Sequence, residues 1–347
     1  MPELSVVLIS KNQAWNVKRL IESVLRETTR VSSREVILVD SASTDDTVAQ
    51  ASAYAITILR LRSDQHLSPA AGRYVGYQHT TGNFVLFLDG DMELCSGWLE
   101  QAFHILATSP EVAVVTGQTL DLLPTAQAYE KPPLPPETGA ASTIPACAGA
   151  ALYRRSVLAE VGPFNPYLRS EEEPELCLRI RHAGYRIVDL HYPIAYHYSN
   201  PEGALSTLIA RWRRNLYLGD GQVLRYHLGS TLLWTYIKER GYVCLPLVGL
   251  AVGLGSFLWS YWHRQWIWFG LWLLLCAVTI VGDALRKRSL YRMLFSVVHR
   301  LIIVDGTLRG FFLQPVSPTQ YPNRFDVIQR ASPSQPSSAL HERTVWM

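Results

Sequence analysis

The sequence predicts an α/β fold with a doubly wound, mostly parallel sheet, followed by a transmembrane helical hairpin and interfacial helices. In the first quarter of the chain, short apolar segments alternate with segments of helical periodicity, a pattern typical of parallel sheets. Phe84 to Leu88 is the strongest of these segments, an unbroken apolar run long enough for one buried strand. Two long uncharged stretches occur much later in the chain of 347 residues, and each is long enough to cross a bilayer.

Four strands and three helices make up the predicted N-terminal sheet region. Ser43 with Asp46 three residues later resembles a capping box, which opens the second helix. Ser68 followed by Pro69 predicts the start of the third, because Pro fits the first helical position. We expect strands at Leu4–Ile9, Val36–Val39, Ile56–Leu61 and Phe84–Leu88, and helices at Asn16–Arg26, after Ser43 and from Ser68 to about His79.

Carboxylates follow two of these strands. Asp40 ends the second strand, and Asp89-Gly90-Asp91 ends the fourth. Parallel α/β sheets bind ligands beyond the carboxyl ends of their strands. Two carboxylates one residue apart offer oxygen ligands to a hard cation such as Mg²⁺ or Mn²⁺, although a solvated turn is the alternative interpretation. No glycine-rich dinucleotide or P-loop motif occurs, which disfavours a Rossmann dehydrogenase and a P-loop NTPase.

The composition is too apolar for an ordinary soluble enzyme. Hydrophobic residues make up 48% of the chain and charged residues 18%, and there are 10 Trp. The net charge of +3 gives no indication of a nucleic-acid partner. The five cysteines lack zinc-site spacing, which predicts reduced and mostly buried thiols. We expect no signal peptide, because no basic segment followed by an apolar one opens the chain.

Two further stretches in the first two thirds of the chain carry functional signals. Pro124 to Pro145 is proline-rich and predicts a semi-rigid surface loop, either a plain connector or a flap on the acceptor side. In SEEEPELCLRIRHAGY, Pro174 fits the first position of a helix, so Glu173 is expected to be its N-cap. The helix dipole favours a carboxylate there, which makes Glu173 either a proton acceptor or a solvated cap. His197 is either a metal ligand or a surface histidine.

Five segments between Leu4 and Ser199 resemble, in the same order, those of the family 2 glycosyltransferases with the GT-A fold. The segments are LSVVLISKN, ILVDSASTDDT, LSPAAGRYVGYQHTTGNFVLFLDGDMEL, GAALYRRSVLAEVGPF and EEPELCLRIRHAGYRI. Five ordered matches are more specific than any one of them. The resemblance implies an inverting transferase that uses a nucleotide diphosphate sugar and a divalent cation, Mg²⁺ or Mn²⁺.

The resemblance also assigns roles to individual residues. It implies that Asp40 contacts the nucleobase, Asp89 the ribose or the metal, and Asp91 the metal that holds the diphosphate. Glu173 matches the family's catalytic aspartate, and His197 matches a histidine that completes the metal or diphosphate site. The remaining assigned residues are Ser10, Asn12 and Arg73 on the donor side, and Glu172, Arg211 and Arg214 on the acceptor and diphosphate side.

Four positions depart from the family pattern, and one of them is Tyr74, which replaces the usual Asn after Arg73. Lys11 stands where an aromatic residue often stacks on the base, so the resemblance does not identify the nucleotide. Glu173 is one methylene longer than the family's aspartate, which the chemistry permits. Leu208 occupies the Gln position of the Q-x-x-R-W motif found in processive synthases, so processivity is not expected.

The uncharged stretches Tyr242–Trp262 and Gln265–Gly282 predict two membrane-spanning helices in a tight hairpin. Gly249 and Gly253 supply a small face for helix contact. Basic residues flank the pair on both outer sides, so the positive-inside rule predicts that both flanks are cytoplasmic. A buried hairpin in a soluble protein is the alternative.

The sequence therefore predicts a membrane-anchored glycosyltransferase of a cell inner membrane, with a cytoplasmic catalytic domain. It would transfer sugar to a lipid-linked or glycan acceptor and contact membrane lipids. A polyprenyl-phosphate monosaccharide synthase and a catalytically inactive membrane scaffold remain alternatives. The expected segments are a catalytic domain at 1–203, interfacial amphipathic helices at 204–240, two transmembrane helices at 241–283, an interfacial helix at 284–313 and a disordered tail at 314–347.

Overall fold

The computed structural model describes residues 3–122, 131–136, 139–198 and 205–331. The chain divides into two units. The first comprises Met1–Leu168, Glu172–Asn200 and Val316–Met347, and the second comprises Arg169–Glu171 and Pro201–Pro315. The first unit contains a sheet with flanking helices, whereas the described residues of the second are helical or lie in connections.

A ten-stranded sheet organises the first unit. Its strands are β1 Leu4–Ser10, β2 Arg34–Asp40, β3 Thr57–Leu61, β4 Phe84–Asp89, β5 Met92–Leu94, β6 Val112–Leu122, β7 Ala141–Thr143, β8 Ala151–Arg154, β9 Arg186–Tyr198 and β10 Phe325–Gln329. Its helices are α1 Val17–Glu27, α2 Thr47–Ala51, α3 Pro69–Gln78, α4 Trp98–Thr108, α5 Arg155–Val161 and α6 Glu172–His182. The strand order is β10-β3-β2-β1-β4-β8-β6-β9-β5, with β7 paired to β9.

The half of the sheet nearest the N-terminus is parallel, as the sequence predicts. Strands β3, β2, β1 and β4 all run in the same direction. In the other half, β8 pairs antiparallel with β4 and with β6, while β6 runs parallel to β9. The predicted α/β class is confirmed, and the sheet as a whole is mixed.

The central strand β1 is buried along its whole length because helices cover both faces of the sheet. Alternate residues of β1 pack with the apolar face of α1 on one side and with α3 on the other. Gly76 permits the close approach of α3, since a Cβ there would clash with Val7 Cγ1. The predicted start of α3 is confirmed, because the Ser68 hydroxyl accepts the Ala71 N–H.

Among its described residues, the second unit contains six helices and one short 3₁₀ turn, joined by connections. The helices are α7 Leu205–Arg213, α8 Gly219–Tyr226, α9 Thr231–Arg240, α10 Leu245–His263, α11 Ile267–Lys287 and α12 Leu290–Phe312, and the turn is Gly241–Cys244. Thr231–His263 and Ile267–Lys287 are long and apolar enough to cross a membrane. Trp272 donates its indole N–H to the Gly249 carbonyl at 2.9 Å, and Gly253 leaves room for the same ring. Thus α10 and α11 form the predicted hairpin through the predicted small face.

The apolar side chains of this hairpin point outward. Within the described part of the chain, no residue of α11 is buried, and Trp262 at the end of α10 is 81% exposed. A hairpin in the core of a soluble protein would bury these side chains. Their exposure therefore favours a membrane over the soluble alternative.

Two predictions about irregular segments need correction. Ala141–Thr143, inside the predicted proline-rich loop, forms edge strand β7, while 123–130 and 137–138 lie outside the described residues. The expectation of disorder from Pro315 onward is wrong for the part the structure describes. A 3₁₀ turn at Pro318–Gln320 is followed by β10, which pairs antiparallel with β3. Residues 332–347 lie outside the described residues.

Tyr321 anchors this returning segment. It is 4% exposed, its ring meets those of Tyr74 and Tyr167 edge-on, and its hydroxyl donates to the His66 carbonyl at 2.7 Å. We expect Tyr321→Ala to lower the free energy of unfolding by about 3 kcal/mol, because it leaves an aromatic-sized cavity. Tyr321→Phe, which removes only the hydroxyl, should cost about 1 kcal/mol. Thermal unfolding in detergent measures both, and an unchanged midpoint for Tyr321→Ala would contradict the packing role.

Candidate active site

The carboxyl ends of three parallel strands meet at one edge of the sheet. In the strand register, Ser10 of β1 lies opposite Asp40 of β2, and Ile9 of β1 lies opposite Asp89 of β4. The apolar sequences of these strands bury them side by side, so the first polar residues after each run fall together. The predicted convergence of Asp40 and Asp89 at the sheet edge follows directly from this register.

Asp40 forms a buried, partly unsatisfied acceptor. Its side chain has no solvent exposure, and its Oδ2 accepts the Ser43 N–H at 2.9 Å. Neither Asp40 Oδ1 nor Ser10 Oγ has a hydrogen-bond partner among the residues that the structure describes. Burial raises the pKa of Asp40, and Arg60, at 3.6 Å, opposes that rise. Buried polar atoms are normally paired, so this pair of atoms is suited to hold a hydrogen-bonding ligand.

Asn12 and Ser43 connect the loop after β1 to the loop after β2 by hydrogen bonds. The Asn12 N–H donates to Ser43 Oγ at 2.8 Å, and the Thr44 N–H donates to Asn12 Oδ1 at 2.8 Å. The predicted capping box at Ser43 is wrong, because α2 begins after Asp46 and lacks a side-chain cap bond. The donor-binding role of Asn12 stays a prediction, since its side chain is used here to hold the loop.

Arg73 links three carboxylates at the centre of the site. The guanidinium lies 2.6 Å from Asp89 Oδ1, 2.7 Å from Glu172 Oε1 and 2.8 Å from Glu173 Oε1. Arg73 is only 1% exposed. Burial alone would lower its pKa, but the three carboxylates raise the pKa above the ordinary arginine value. No local sequence pattern reveals this network, in which the buried guanidinium of Arg73 connects the end of β4 to the start of α6.

The two glutamates of α6 differ in access. Helix α6 begins at Glu172, so Glu173 is its second residue and the predicted N-cap role is wrong. Glu172 is buried, and burial, followed by the neighbouring Glu173, raises its pKa to about 8. The Glu173 side chain is 14% exposed, more than twice the 6% of Glu172. Of the two glutamates, Glu173 therefore has the greater access from outside while it contacts Arg73, and the predicted acceptor contact of Glu172 stays a prediction.

Asp91 and His197 face each other across the loop between β4 and β5. His197 Nε2 lies 3.5 Å from Asp91 Oδ2, and Nδ1 lies 2.7 Å from Asp121 Oδ1. The contact with Asp91 and the one with Asp121 raise the pKa of His197 to about 9. The structure thus brings together the two predicted ligands, and it adds Asp121. Sequence reasoning missed Asp121 because nothing in the local sequence shows that β6 pairs with β9.

These residues fit a cation whose remaining ligands come from a substrate. In the described ranges, no three His, Cys, Asp or Glu side chains are arranged to hold a metal by themselves. Asp91 and His197 nevertheless supply one oxygen and one nitrogen at 3.5 Å separation, and Asp89 lies two residues from Asp91. Mg²⁺ is commonly held by one or two carboxylates together with substrate phosphates. The donor set therefore suits a diphosphate-bound cation.

Arg211 and Arg214 belong to the second unit. Arg211 lies in α7, and Arg214 follows the last residue of that helix. Both side chains are exposed. Their assignment to the acceptor and diphosphate side stays a prediction.

Comparison with known proteins shows what the first unit is similar to. Residues 5–162 match the model of glycosyl transferase family 2. Glycosyltransferase AglE of Haloferax volcanii is 26% identical over 231 residues, which are 64% of this chain and 74% of that protein. The pre-mycofactocin glycosyltransferase of Mycobacterium tuberculosis is 29% identical over 273 residues, and the aligned part covers 73% of this chain but only 54% of that protein.

A solved structure shows the same fold. The mannosyltransferase PcManGT from Pyrobaculum calidifontis, in complex with GDP-Man and Mn²⁺, superposes with a TM-score of 0.57 at 16% identity. The superposition covers 90% of this chain and 87% of that one. Residues 5–162 are therefore similar to glycosyl transferase family 2, and the chain has the GT-A fold.

Proposed function

We propose that the protein is a membrane-anchored, metal-dependent, inverting glycosyltransferase. It moves a sugar from a nucleotide diphosphate sugar to a lipid-linked or glycan acceptor at the cytoplasmic membrane face. The observation that carries this proposal is the Arg73 network, which places an accessible carboxylate, Glu173, beside the donor-side carboxylate Asp89. A proton acceptor next to the reacting centre is what direct displacement at an anomeric carbon needs.

The donor is held at the sheet edge. Asp40 Oδ1 accepts a hydrogen bond from the nucleobase side of the ligand, and Ser10 Oγ accepts or donates one there. Neither atom has a protein partner among the described residues. Asp91 and His197 hold the divalent cation, Mg²⁺ or Mn²⁺, with Asp89 beside them. When bound, the cation neutralises charge on the diphosphate leaving group. The GDP-Man and Mn²⁺ of PcManGT support a donor and a cation of this kind.

Glu173 is the general base of the reaction. The acceptor hydroxyl oxygen forms a bond to the anomeric carbon while the bond from that carbon to the diphosphate oxygen breaks. Glu173 takes the hydroxyl proton, and the electron pair of the broken bond leaves with the nucleoside diphosphate. One displacement inverts the anomeric centre. The test is the anomeric configuration of the product, read by proton NMR coupling; retention of the donor's configuration would overturn the mechanism.

The membrane part of the proposal rests on the second unit. The outward apolar faces of α10 and α11 suit lipid, and Arg211 and Arg214 suit anionic headgroups or a lipid-linked diphosphate. In α12, Asp305 pairs with Arg309 and accepts the Trp212 indole N–H at 2.6 Å. A helix that carries such polar pairs suits the interface better than the bilayer core.

Both ends of the chain are expected in the cytoplasm of a cell whose inner membrane holds the hairpin. Lys238 and Arg240 precede the first span, and Arg286 and Lys287 close the second. A reporter that is active only in the cytoplasm should be active when it is fused after Leu313, and a reporter that is active only outside should be inactive there. The matched control is a reporter inserted in the connection between α10 and α11, which should respond only on the outer face. The reverse pattern would contradict this topology.

A further inference from the structure

Among the proposed metal ligands, His197 is the residue whose two ring nitrogens each face a carboxylate. Its Nε2 faces Asp91 at 3.5 Å, and its Nδ1 lies 2.7 Å from Asp121 Oδ1. Asp91 therefore contacts one ring nitrogen and Asp121 contacts the other. Asp121 lies on β6, directly opposite His197 in the parallel register with β9.

The backbone beside His197 is fixed by other contacts. The Tyr198 N–H donates to the Asp91 carbonyl at 2.9 Å, and the Tyr198 hydroxyl donates to Glu93 at 2.6 Å. These contacts hold the main chain but leave the rotation of the imidazole ring to its own partners. Asp121 is the side chain that meets the ring nitrogen facing away from Asp91.

A contribution to folding stability does not explain this pair. The Asp121 side chain is 65% exposed, and ion pairs in that setting contribute little to stability. An exposed carboxylate can still fix the tautomer of a histidine, because it accepts a hydrogen bond from the N–H of one ring nitrogen and leaves the other nitrogen free to bind a cation. Histidines that bind metals commonly have such a partner.

We infer that Asp121 is a positioning residue for the cation site: it holds the proton of His197 on Nδ1 and turns Nε2 toward Asp91, where a divalent cation binds. This inference rests on the proposed metal-dependent function. Asp121 itself does not touch the cation. Its effect reaches the cation through the imidazole.

The test measures Mn²⁺ binding to the full-length protein in detergent, with Mn²⁺ in the presence of saturating UDP or GDP as the probe and its electron paramagnetic resonance signal as the readout. Asp121→Ala should weaken Mn²⁺ affinity by about 10- to 100-fold, the usual range for the loss of such a partner. Asp121→Asn keeps an oxygen that can accept a hydrogen bond from the Nδ1–H group, so it should retain part of the affinity that Asp121→Ala loses. Glu111→Gln is the matched control, because Glu111 is an exposed acid just before β6 that pairs with Arg186 instead.

A double-mutant cycle separates positioning from direct ligation. If Asp121 acts through His197, Asp121→Ala should cost nothing further in a His197→Ala background. A full additional loss would make Asp121 a ligand and overturn the inference, as would unchanged affinity in Asp121→Ala itself. If Asp91→Asn and His197→Ala also leave Mn²⁺ binding unchanged, the proposed metal site fails and the inference fails with it.

Discussion

Asp91→Asn abolishes metal-dependent binding of a nucleoside diphosphate while the thermal unfolding midpoint stays nearly unchanged. This is the expected result because the Asp91 side chain is about one-third exposed and its described ion contact is with His197 at 3.5 Å. The backbone carbonyl that accepts the Tyr198 N–H is retained in the variant. The substitution removes the charge of a cation ligand and little packing. Isothermal calorimetry with UDP and with GDP, in the presence and absence of Mn²⁺, measures this nucleotide affinity.

Asp64→Asn is a suitable control for this measurement. Asp64 is an exposed carboxylate of the same unit, and it pairs with Arg62 and Arg324 on the surface. Its neutralisation changes the net charge equally, so binding should be unaffected. Nucleotide affinity in Asp91→Asn that equals the wild-type value in the presence of Mn²⁺ would show that Asp91 does not hold the cation.

Glu173→Gln should lower the rate of transfer by about 10²–10⁴-fold, the range expected when a general base is lost. Glutamine keeps the shape of the side chain, and its amide oxygen still accepts from Arg73, but it does not accept the acceptor's proton. Donor affinity should barely change, because the donor and the cation are assigned to Asp40, Asp89 and Asp91. Steady-state rates and donor binding, measured on the same preparation, separate these two effects.

The neighbouring glutamates are matched controls. Glu172 is buried against Arg73, with 6% of its side chain exposed, so it has little access to an acceptor hydroxyl. Glu171 pairs with Arg240 at 3.1 Å. Both substitutions should therefore slow transfer much less than Glu173→Gln. Near-normal turnover in Glu173→Gln, with a large loss in either neighbour, would move the base to that neighbour.

The sequence predicts the parallel half of the sheet well for a physical reason. Strands such as Phe84–Leu88 are buried on both faces, so they appear as unbroken apolar runs, and the carboxylates that follow them fall at one sheet edge. The sequence also predicts the helical hairpin well, because a helix that crosses a bilayer needs a long uncharged stretch. In both cases a local pattern carries the structural constraint.

The parts that the sequence did not reveal depend on contacts distant along the chain. Arg73 meets Glu172 across 99 residues, and His197 meets Asp121 across 76. Strand β10 returns to β3 after the whole helical unit, and its short segment FDVIQ stands among polar residues that predict disorder. Local periodicity contains no information about such pairings. For this reason the sequence predicts neither the contact of Asp121 with His197 nor the pairing of β10 with β3.

The most direct test of the central claim is a screen of nucleotide diphosphate sugars for turnover by the detergent-purified protein. Release of nucleoside diphosphate is followed with Mn²⁺ or Mg²⁺ and with excess EDTA, for the wild type and for Asp91→Asn. The account predicts that at least one donor is consumed by the wild type and that EDTA stops this reaction. It also predicts that the Asp91→Asn variant stays inactive when metal is added. Turnover that persists at the same rate in EDTA, or no turnover of any donor with either cation and a membrane-lipid acceptor extract, would contradict it.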